Sequence, residues 1–230
     1  ATAIAFAKEG CSIGLNYNRN PEGAEATAAK IRELGAPVEI YKADVALSED
    51  CEAMVNAFIQ RFGGIDVLVN NAGGALKIPR GEFIDMPVEY WNDQINLNLN
   101  AAAYTSRIAV RNMIENKVRG KIINVSSIHS IVTWVKRKML PYCAGKAGLN
   151  MFTKALACEV AKYGINVNCI APGFIMTKLS ARYSETDMNA FLRKIPAGRL
   201  GTVDDITPMM LFLADDEKSA FITGQTFPID

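Results

Sequence analysis

Three residues of this chain have the types and the spacing for proton transfer. Tyr142 stands four residues before Lys146, and Ser127 lies fifteen residues upstream of Tyr142. Helical side chains four positions apart share one face, so a phenol and an ammonium group can lie side by side. A nearby cation lowers the pKa of a phenol from its ordinary value near ~10, and a seryl hydroxyl could hold a carbonyl oxygen against it. The spacing indicates an acid that works near neutral pH, although two unrelated residues on a helix face give the same pattern.

Apolar runs of strand length alternate with segments of helical period, which predicts βαβ units and a parallel sheet. The predicted strands are Ser12–Tyr17, Val38–Lys42, Val67–Asn70, Lys121–Ser126, Asn166–Ala171 and Gln225–Ile229. The predicted helices are Pro21–Leu34, Ser48–Phe62, Val88–Asn116 and Tyr142–Tyr163, and residues 1–9 read as the later part of a helix that Gly10 ends. Since no linker divides the chain, we expect one α/β domain over residues 1–230, a doubly wound sheet with helices on both faces.

Polar and small residues follow four of the predicted strands. They are Asp44-Val45, Asn70-Asn71-Ala72-Gly73, Ser126-Ser127 and Pro172-Gly173, the last followed by Thr177. A doubly wound sheet binds its ligand at the carboxyl ends of its strands, so these segments predict one shared site.

Composition excludes several classes of protein. The 230 residues include 25 basic and 24 acidic ones, for a formal charge of +1, which argues against a nucleic-acid partner. Five scattered cysteines with a single histidine predict reduced thiols and neither a disulfide framework nor a metal site. No apolar run is long enough to span a bilayer, and no signal peptide is recognisable. We therefore expect a cytoplasmic protein without a membrane partner.

These motifs resemble those of the short-chain dehydrogenase/reductase family, in order and approximate spacing, over essentially the whole chain. The resemblance implies a Rossmann-fold oxidoreductase that transfers hydride between a nicotinamide cofactor and a small carbonyl or alcohol substrate. It makes Tyr142 the general acid or base, Ser127 the group that orients the reacting oxygen, and Lys146 the cation that tunes Tyr142 and holds the cofactor's ribose. Trp91, followed seven residues later by Asn98, implies that Asn98 holds a water in a proton relay, with Asn96 and Asn100 as near alternatives.

The resemblance also implies the cofactor contacts. Asp44 and Val45 flank the adenine ring, Asn70 and its successors lie on the ribose and diphosphate side, and the turn after the fifth strand reaches the carboxamide. The implied cofactor-binding set is Tyr17, Asn18, Arg19, Asp44, Val45, Asn70, Ala72, Gly73, Tyr142, Lys146, Pro172, Gly173, Ile175 and Thr177. Because the first predicted strand ends in Tyr17-Asn18-Arg19 without a carboxylate, and Arg19 can pair with a 2′-phosphate, NADP is favoured over NAD.

The chain departs from the family pattern in two places. No glycine-rich phosphate loop precedes residue 10, so we expect the first, central strand and this loop to lie outside the sequence, and the chain to be clipped at both ends. The insert Lys136-Arg137-Lys138 lies between Ser127 and Tyr142. It is either a solvated basic loop or a site that favours an anionic substrate.

Several functions remain open at the level of the sequence. The first is a carbonyl reductase or alcohol dehydrogenase such as a 3-oxoacyl-carrier-protein reductase. A glucose-type dehydrogenase is an alternative, because Ser127-Ile-His129 with Trp134, and Asn16-Tyr17, resemble that branch of the family; a non-catalytic regulatory homologue is another. Family resemblance and the apolar stripes of the Val88–Asn116 and Tyr142–Tyr163 helices predict a homotetramer. The connection Pro172–Lys194 carries no recognisable substrate chemistry.

Overall fold

The computed structural model describes residues 1–76, 82–133, 139–177 and 184–230. The strands are β1 (Ile13–Tyr17), β2 (Val38–Lys42), β3 (Val67–Asn70), β4 (Lys121–Val125), β5 (Asn166–Pro172) and β6 (Thr226–Ile229). The helices are α1 (Thr2–Lys8), α2 (Pro21–Glu33), α3 (Ser48–Phe62), α4 (Val88–Ile95), α5 (Ala101–Glu115), α6 (Leu140–Val160), α7 (Glu185–Leu192), α8 (Val203–Ala214) and α9 (Asp216–Ser219). Short 3-10 turns cover Phe83–Asp85, Ile128–Ser130 and Ala161–Tyr163. Trp134, the Lys136-Arg137-Lys138 insert and residues 178–183 of the long connection lie outside the described residues.

All pairs of neighbouring strands are parallel, as predicted for an α/β fold. β4 and β5 are buried along nearly their whole length, as expected for central strands covered by helices on both faces. Successive residues of a strand point to opposite faces. Ile123 and Ile170 accordingly pack with α1 and α8, whereas Ile122 and Val167 pack with α5 and α6. The sheet therefore has an apolar helix layer on each side.

The described strands form two sheets rather than one continuous sheet. One holds β1 and β2, and the other runs in the order β3-β4-β5-β6. β1 and β3 both line a cavity of about 1050 Å³, and neither strand pairs with the other. The gap fits the expectation of a central strand between them, and that strand stays a prediction.

The predicted Val88–Asn116 helix is interrupted in its middle. α4 and α5 are joined by a π-helical segment over Asn96–Asn100, with Asn98 at its centre. π-Helical turns widen the hydrogen-bond ladder and occur frequently at functional sites. The interruption turns the buried side chain of Asn98 towards the start of α6, where the Cβ of Asn98 lies 3.1 Å from the position that a Cβ on Gly145 would occupy.

Three further helices, α7, α8 and α9, were not predicted. α7 lies within the Pro172–Lys194 connection, and α8 follows it. α8 begins with a capping box, in which Thr202 and Asp205 bond each other's backbone, and it contains Pro208. No helix in the described part of the chain is both long and apolar enough to cross a membrane.

Candidate active site

Lys146 is held against the end of β4. Its side chain is 4% exposed, and its Nζ donates a hydrogen bond to the Val125 carbonyl at 2.8 Å. The Ser126 hydroxyl donates to the Lys146 carbonyl at 3.0 Å, so two bonds fix this turn of α6 to the strand end that precedes Ser127. Burial lowers the pKa of Lys146 from 10.5 to about 8, because a low-dielectric environment disfavours the charged form.

Ser127 lies buried in a turn that α6 also supports. Its hydroxyl accepts a hydrogen bond from the His129 amide at 3.2 Å. The Ser130 hydroxyl donates to the Ser127 carbonyl at 2.6 Å and accepts from Asn150 of α6 at 2.8 Å. Tyr142, in the first turn of α6, has its ring edge-to-face with the His129 ring at 6.5 Å. The structure therefore places Ser127, Tyr142 and Lys146 in one corner, between the end of β4 and the start of α6.

Aromatic side chains form a wall beside Tyr142. The His129 ring also contacts the Phe174 ring edge-to-face at 6.1 Å. Phe174 stacks on Phe191 of α7, with ring centroids 4.1 Å apart and planes at 21°. Three separate segments, after β4, after β5 and in α7, thus form one aromatic cluster, which contacts Tyr142 through His129. We call His129, Phe174 and Phe191 the aromatic wall.

Asn98 forms two hydrogen bonds with the backbone that follows β3. Its Oδ1 accepts from the Gly74 amide at 2.9 Å, and its Nδ2 donates to the Gly74 carbonyl at 3.0 Å. The neighbouring Gly73 is so close that a Cβ there would lie 2.9 Å from Lys146 Nζ and 3.0 Å from Asn98 Oδ1. A side chain at this position would have to displace Lys146 Nζ or Asn98 Oδ1. The predicted partners Asn98, Gly73 and Lys146 therefore do come together.

Asn70 has a different environment from the one predicted. Its Nδ2 donates to Asn124 Oδ1 at 2.9 Å and to Ser106 Oγ at 3.1 Å. Its Oδ1 accepts from Thr105 at 2.7 Å. The side-chain amide is thus occupied inside the protein, linking β3 to β4 and α5. The Asn70 backbone, which lines the cavity, is the part that a ligand can reach.

The cavity between β1 and β3 gathers most of the remaining predicted cofactor residues. Its lining includes the predicted residues Tyr17, Asn18, Asp44, Val45, Asn70, Ala72, Asn98, Pro172, Ile175 and Thr177. Arg19 is exposed and lies outside that lining. Gly173 packs against the last residue of the chain, since a Cβ there would lie 2.5 Å from the Cβ of Asp230.

Sequence reasoning missed the residues that hold this site in place. They are Ser130 and Asn150, which fix the Ser127 turn, and Asn124 with Thr105, which fix Asn70. Ser126 was predicted at the strand end, but its hydrogen bond to the Lys146 carbonyl was not. A signal existed for Asn124, because it is a polar residue inside the apolar run Ile122-Ile123-Asn124-Val125. A buried amide of this kind needs partners, and here Thr153 accepts from Asn124 Nδ2 at 2.8 Å.

Comparisons with known proteins show which family the chain belongs to. The family model described as Enoyl-(Acyl carrier protein) reductase matches residues 1–230. A relative from Eggerthella lenta, 3beta-hydroxysteroid dehydrogenase 1, is 36% identical over 232 residues, covering 100% of this chain and 87% of its own. Acetoin dehydrogenase from Enterobacter cloacae has a similar structure, with a TM-score of 0.88, 33% identity, and coverage of 100% of this chain and 88% of its own. NADPH-dependent 3-quinuclidinone reductase from Rhodotorula rubra superposes with a TM-score of 0.91 at 28% identity, covering 100% of this chain and 84% of its own. The chain belongs to the short-chain dehydrogenase/reductase family of oxidoreductases, which use NAD or NADP.

Proposed function

We propose that this enzyme interconverts a secondary alcohol and a carbonyl, with Tyr142, Ser127, Lys146 and Asn98 as its catalytic residues. The observation that carries the proposal is the burial of Lys146. A buried cation is unfavourable for folding and is kept where it acts on a neighbouring group. One helical turn before it stands Tyr142, whose ring touches the turn that follows Ser127. With a pKa of about 8, Lys146 remains mostly protonated at neutral pH, as this role requires.

Each residue has a distinct part in the proton transfer. In reduction, the Tyr142 hydroxyl donates its proton to the carbonyl oxygen of the substrate, and in oxidation it takes that proton back. The Ser127 hydroxyl donates a hydrogen bond to the same oxygen and fixes its position. Lys146 stabilises the negative charge that remains on the Tyr142 oxygen. Asn98 holds the Gly74 backbone that borders the site, and it holds a water in the proton relay that the family resemblance implies.

The residues present fit a nicotinamide dinucleotide. Gly73 presents a surface without a side chain next to Lys146 Nζ, and Asp44, Val45 and Ile175 line one cavity together. The bound cofactor supplies the hydride in reduction and accepts it in oxidation.

The exposed Arg19 favours NADP as the cofactor. Within the part of the chain that the structure describes, Arg19 forms no ion pair with a carboxylate, so its guanidinium is available for a 2′-phosphate. Arg19→Ala should raise the KM for NADPH about tenfold and leave the KM for NADH within twofold. Arg32→Ala, which removes an exposed arginine of α2 away from the cavity, is the matched control. Equal effects of Arg19→Ala on both cofactors would contradict the assignment.

The aromatic wall supports an apolar substrate with a flat or cyclic body. Phe174 is partly exposed and stacks on buried Phe191, so its ring offers a substrate dispersion contacts and few hydrogen bonds. Relatives named as a hydroxysteroid dehydrogenase and an acetoin dehydrogenase also act on secondary alcohols. A 3-oxoacyl thioester is a second candidate from the sequence, and a sugar is less well supported because it needs a polar pocket. A regulatory homologue without turnover is less well supported because all four catalytic positions are filled.

Turnover with a substrate panel tests the proposal. Oxidation of NADPH should be followed with a 3-ketosteroid, acetoin, an acetoacetyl thioester and, in the reverse direction with NADP, glucose. We expect the highest kcat/KM for the steroid and a loss of at least about 10³-fold in Tyr142→Phe, since general acid catalysis typically contributes 10²–10⁴-fold. No turnover with any of them would overturn the enzymatic role of the site. A thioester that outperforms the steroid would overturn the substrate class alone.

We further propose that the protein is a cytoplasmic homotetramer. α6 leaves Met151 64% exposed, and Tyr163 beyond its end is also exposed, so this face has an apolar surface to bury in an assembly. Light scattering should give about four times the chain mass of 25.1 kDa. A monomer at micromolar concentration would contradict the assembly and would leave the catalytic proposal unaffected.

A further inference from the structure

Gln94 contacts Asn98 and has an unusual hydrogen-bond pattern. It lies in α4, one turn before Asn98, and its side chain is 0% exposed. Its Oε1 accepts a hydrogen bond from Asn98 Nδ2 at 3.2 Å. Its Nε2 has no hydrogen-bond partner among the described residues. A buried polar atom without a partner is rare in folded proteins and needs a specific reason.

The orientation of the Asn98 amide follows from its neighbours. Nδ2 faces three acceptors, which are the Gly74 carbonyl, the Gln94 carbonyl at 3.0 Å and Gln94 Oε1. Oδ1 faces a single donor, the Gly74 amide. If the amide were rotated by half a turn, its oxygen would meet three acceptors and its NH₂ group would meet a donor. Gln94 Oε1 therefore adds to the preference for the observed orientation.

The unpartnered Nε2 is a consequence of this contact. Rotating the Gln94 amide would bring Nε2 against Asn98 Nδ2, where two donors would face each other. Gln94 must therefore keep Oε1 on Asn98, and its Nε2 is left in an interior position without an acceptor. An apolar side chain of the same size would fill the same space without an unpaired group, and Asn98 Nδ2 would still have two carbonyl acceptors.

We infer that Gln94 is a positioning residue, which fixes the Asn98 amide and through it the backbone of Gly73 and Gly74. This inference rests on the proposed function insofar as Gly73 and Gly74 border the cofactor and Lys146. The fold itself does not require the Gln94 amide. Gln94 keeps an unfavourable group in the interior so that the Gly74 amide and carbonyl stay in one conformation beside the site.

The test compares Gln94→Met with the unchanged protein. Methionine keeps the length of the side chain and removes both polar atoms. We expect hydrogen exchange at the Gly74 amide, measured by NMR without cofactor, to accelerate about three- to tenfold, the effect of losing one hydrogen bond between neutral groups. Exchange at the Gly224 amide, which donates to the Val167 carbonyl far along the chain, should not change. The melting temperature should stay the same or rise.

Kinetics and a conservative variant complete the test. Gln94→Met should raise the KM for the cofactor about three- to tenfold, with a smaller change in kcat, whereas Gln60→Met on the exposed face of α3 should change neither. Gln94→Glu keeps an acceptor for Asn98 Nδ2, so below pH 6 it should restore slow exchange at Gly74.

Two outcomes would overturn the assignment. One is unchanged Gly74 exchange in Gln94→Met. The other is faster exchange at Gly74 and Gly224 alike, together with a lower melting temperature, because that result describes a general loss of packing. The exchange experiment needs no turnover, so it decides the role of Gln94 even if the proposed reaction fails.

Discussion

Replacing Lys146 with methionine should stabilise the fold at neutral pH while abolishing activity. The side chain is almost fully buried and charged, and its pKa is lowered from 10.5 to about 8. One pKa unit corresponds to about 1.4 kcal/mol, so burial of this cation costs about 3 kcal/mol of folding free energy at pH 7. Methionine fills similar space without a charge. The change leaves the Val125 carbonyl unpaired, which costs about 1–2 kcal/mol, so the net gain is about 1–2 kcal/mol.

The stability gained by Lys146→Met should decrease as the pH rises. Below pH 8 both the folded and the unfolded chain carry the Lys146 proton, so the full cost is present. Between pH 8 and pH 10.5 the folded chain loses this proton first, the unfolded chain binds more protons, and the stability of the unchanged protein rises. From pH 7 to pH 10 this contribution amounts to about 2.5 kcal/mol. The advantage of Lys146→Met should therefore disappear near pH 10.

Thermal and denaturant unfolding without cofactor, from pH 6 to pH 10, measure this difference. At pH 7 the melting temperature of Lys146→Met should be about 2–8 °C higher, at about 2–4 °C per kcal/mol for a chain of this size. Lys154→Met, on the exposed face of the same helix, should change stability by less than about 0.5 kcal/mol. The reasoning is refuted if Lys146→Met is less stable than the unchanged protein at pH 7, or if the difference is the same at pH 7 and pH 10.

Three further predictions test other parts of the site and fold. Gly73→Ala places a methyl group 2.9 Å from Lys146 Nζ and should raise the KM for the cofactor at least about tenfold. Gly64→Ala is the control, because its Cβ would lie 3.6 Å from its nearest neighbour and should leave that KM unchanged. If the two variants had the same KM for the cofactor, the close approach at Gly73 would be contradicted. Asp216→Ala removes the carboxylate 2.6 Å from buried Lys121 Nζ and should lower the unfolding free energy by about 2 kcal/mol in urea titrations. Because Lys121 holds the pKa of Asp216 below its usual range, that contribution should be lost as acid protonates Asp216, and a difference that persists in acid would argue against the pair. Ser126→Ala should lower the unfolding free energy by about 1 kcal/mol, because it removes the hydrogen bond to the Lys146 carbonyl. Ser127→Ala should abolish turnover and leave stability nearly unchanged. Loss of turnover in Ser126→Ala together with loss of stability in Ser127→Ala would contradict the roles given to the two serines.

Elements with a complete local signal could be predicted from the sequence. The bounds of β2, β3 and α3 agree with the prediction, because apolar periodicity and polar or glycine residues mark both ends. α8 was missed although Thr202 and Asp205 form a recognisable capping box, since Pro208 argues against a helix interior. The π-helical segment over Asn96–Asn100 could not be predicted, because one extra residue in the hydrogen-bond ladder leaves no trace in composition.

The sequence predicted which residues belong to the candidate site, but not which hydrogen bonds they form. The residue types and spacing brought Ser127, Tyr142 and Lys146 into one group. They gave no means of telling Asn70 from Asn98, since both are asparagines in apolar surroundings. Asn70 uses its whole amide to join β3 to β4 and α5, whereas Asn98 uses its amide on the Gly74 backbone. That distinction depends on which atoms three-dimensional packing places within hydrogen-bond distance.

Two unfavourable groups lie close to Asn98 and Gly73, and their coincidence supports the proposed site independently of any family motif. Lys146 is a buried cation, and Gln94 has a buried amide nitrogen without a described partner. Each group has an apolar substitute of similar size that would make the interior more stable. Lys146 Nζ lies beside Gly73 from α6, and Gln94 Oε1 accepts a hydrogen bond from Asn98 Nδ2 from α4. A chain that keeps two such groups within one contact of each other places its function there, because local rules are broken mainly at functional sites.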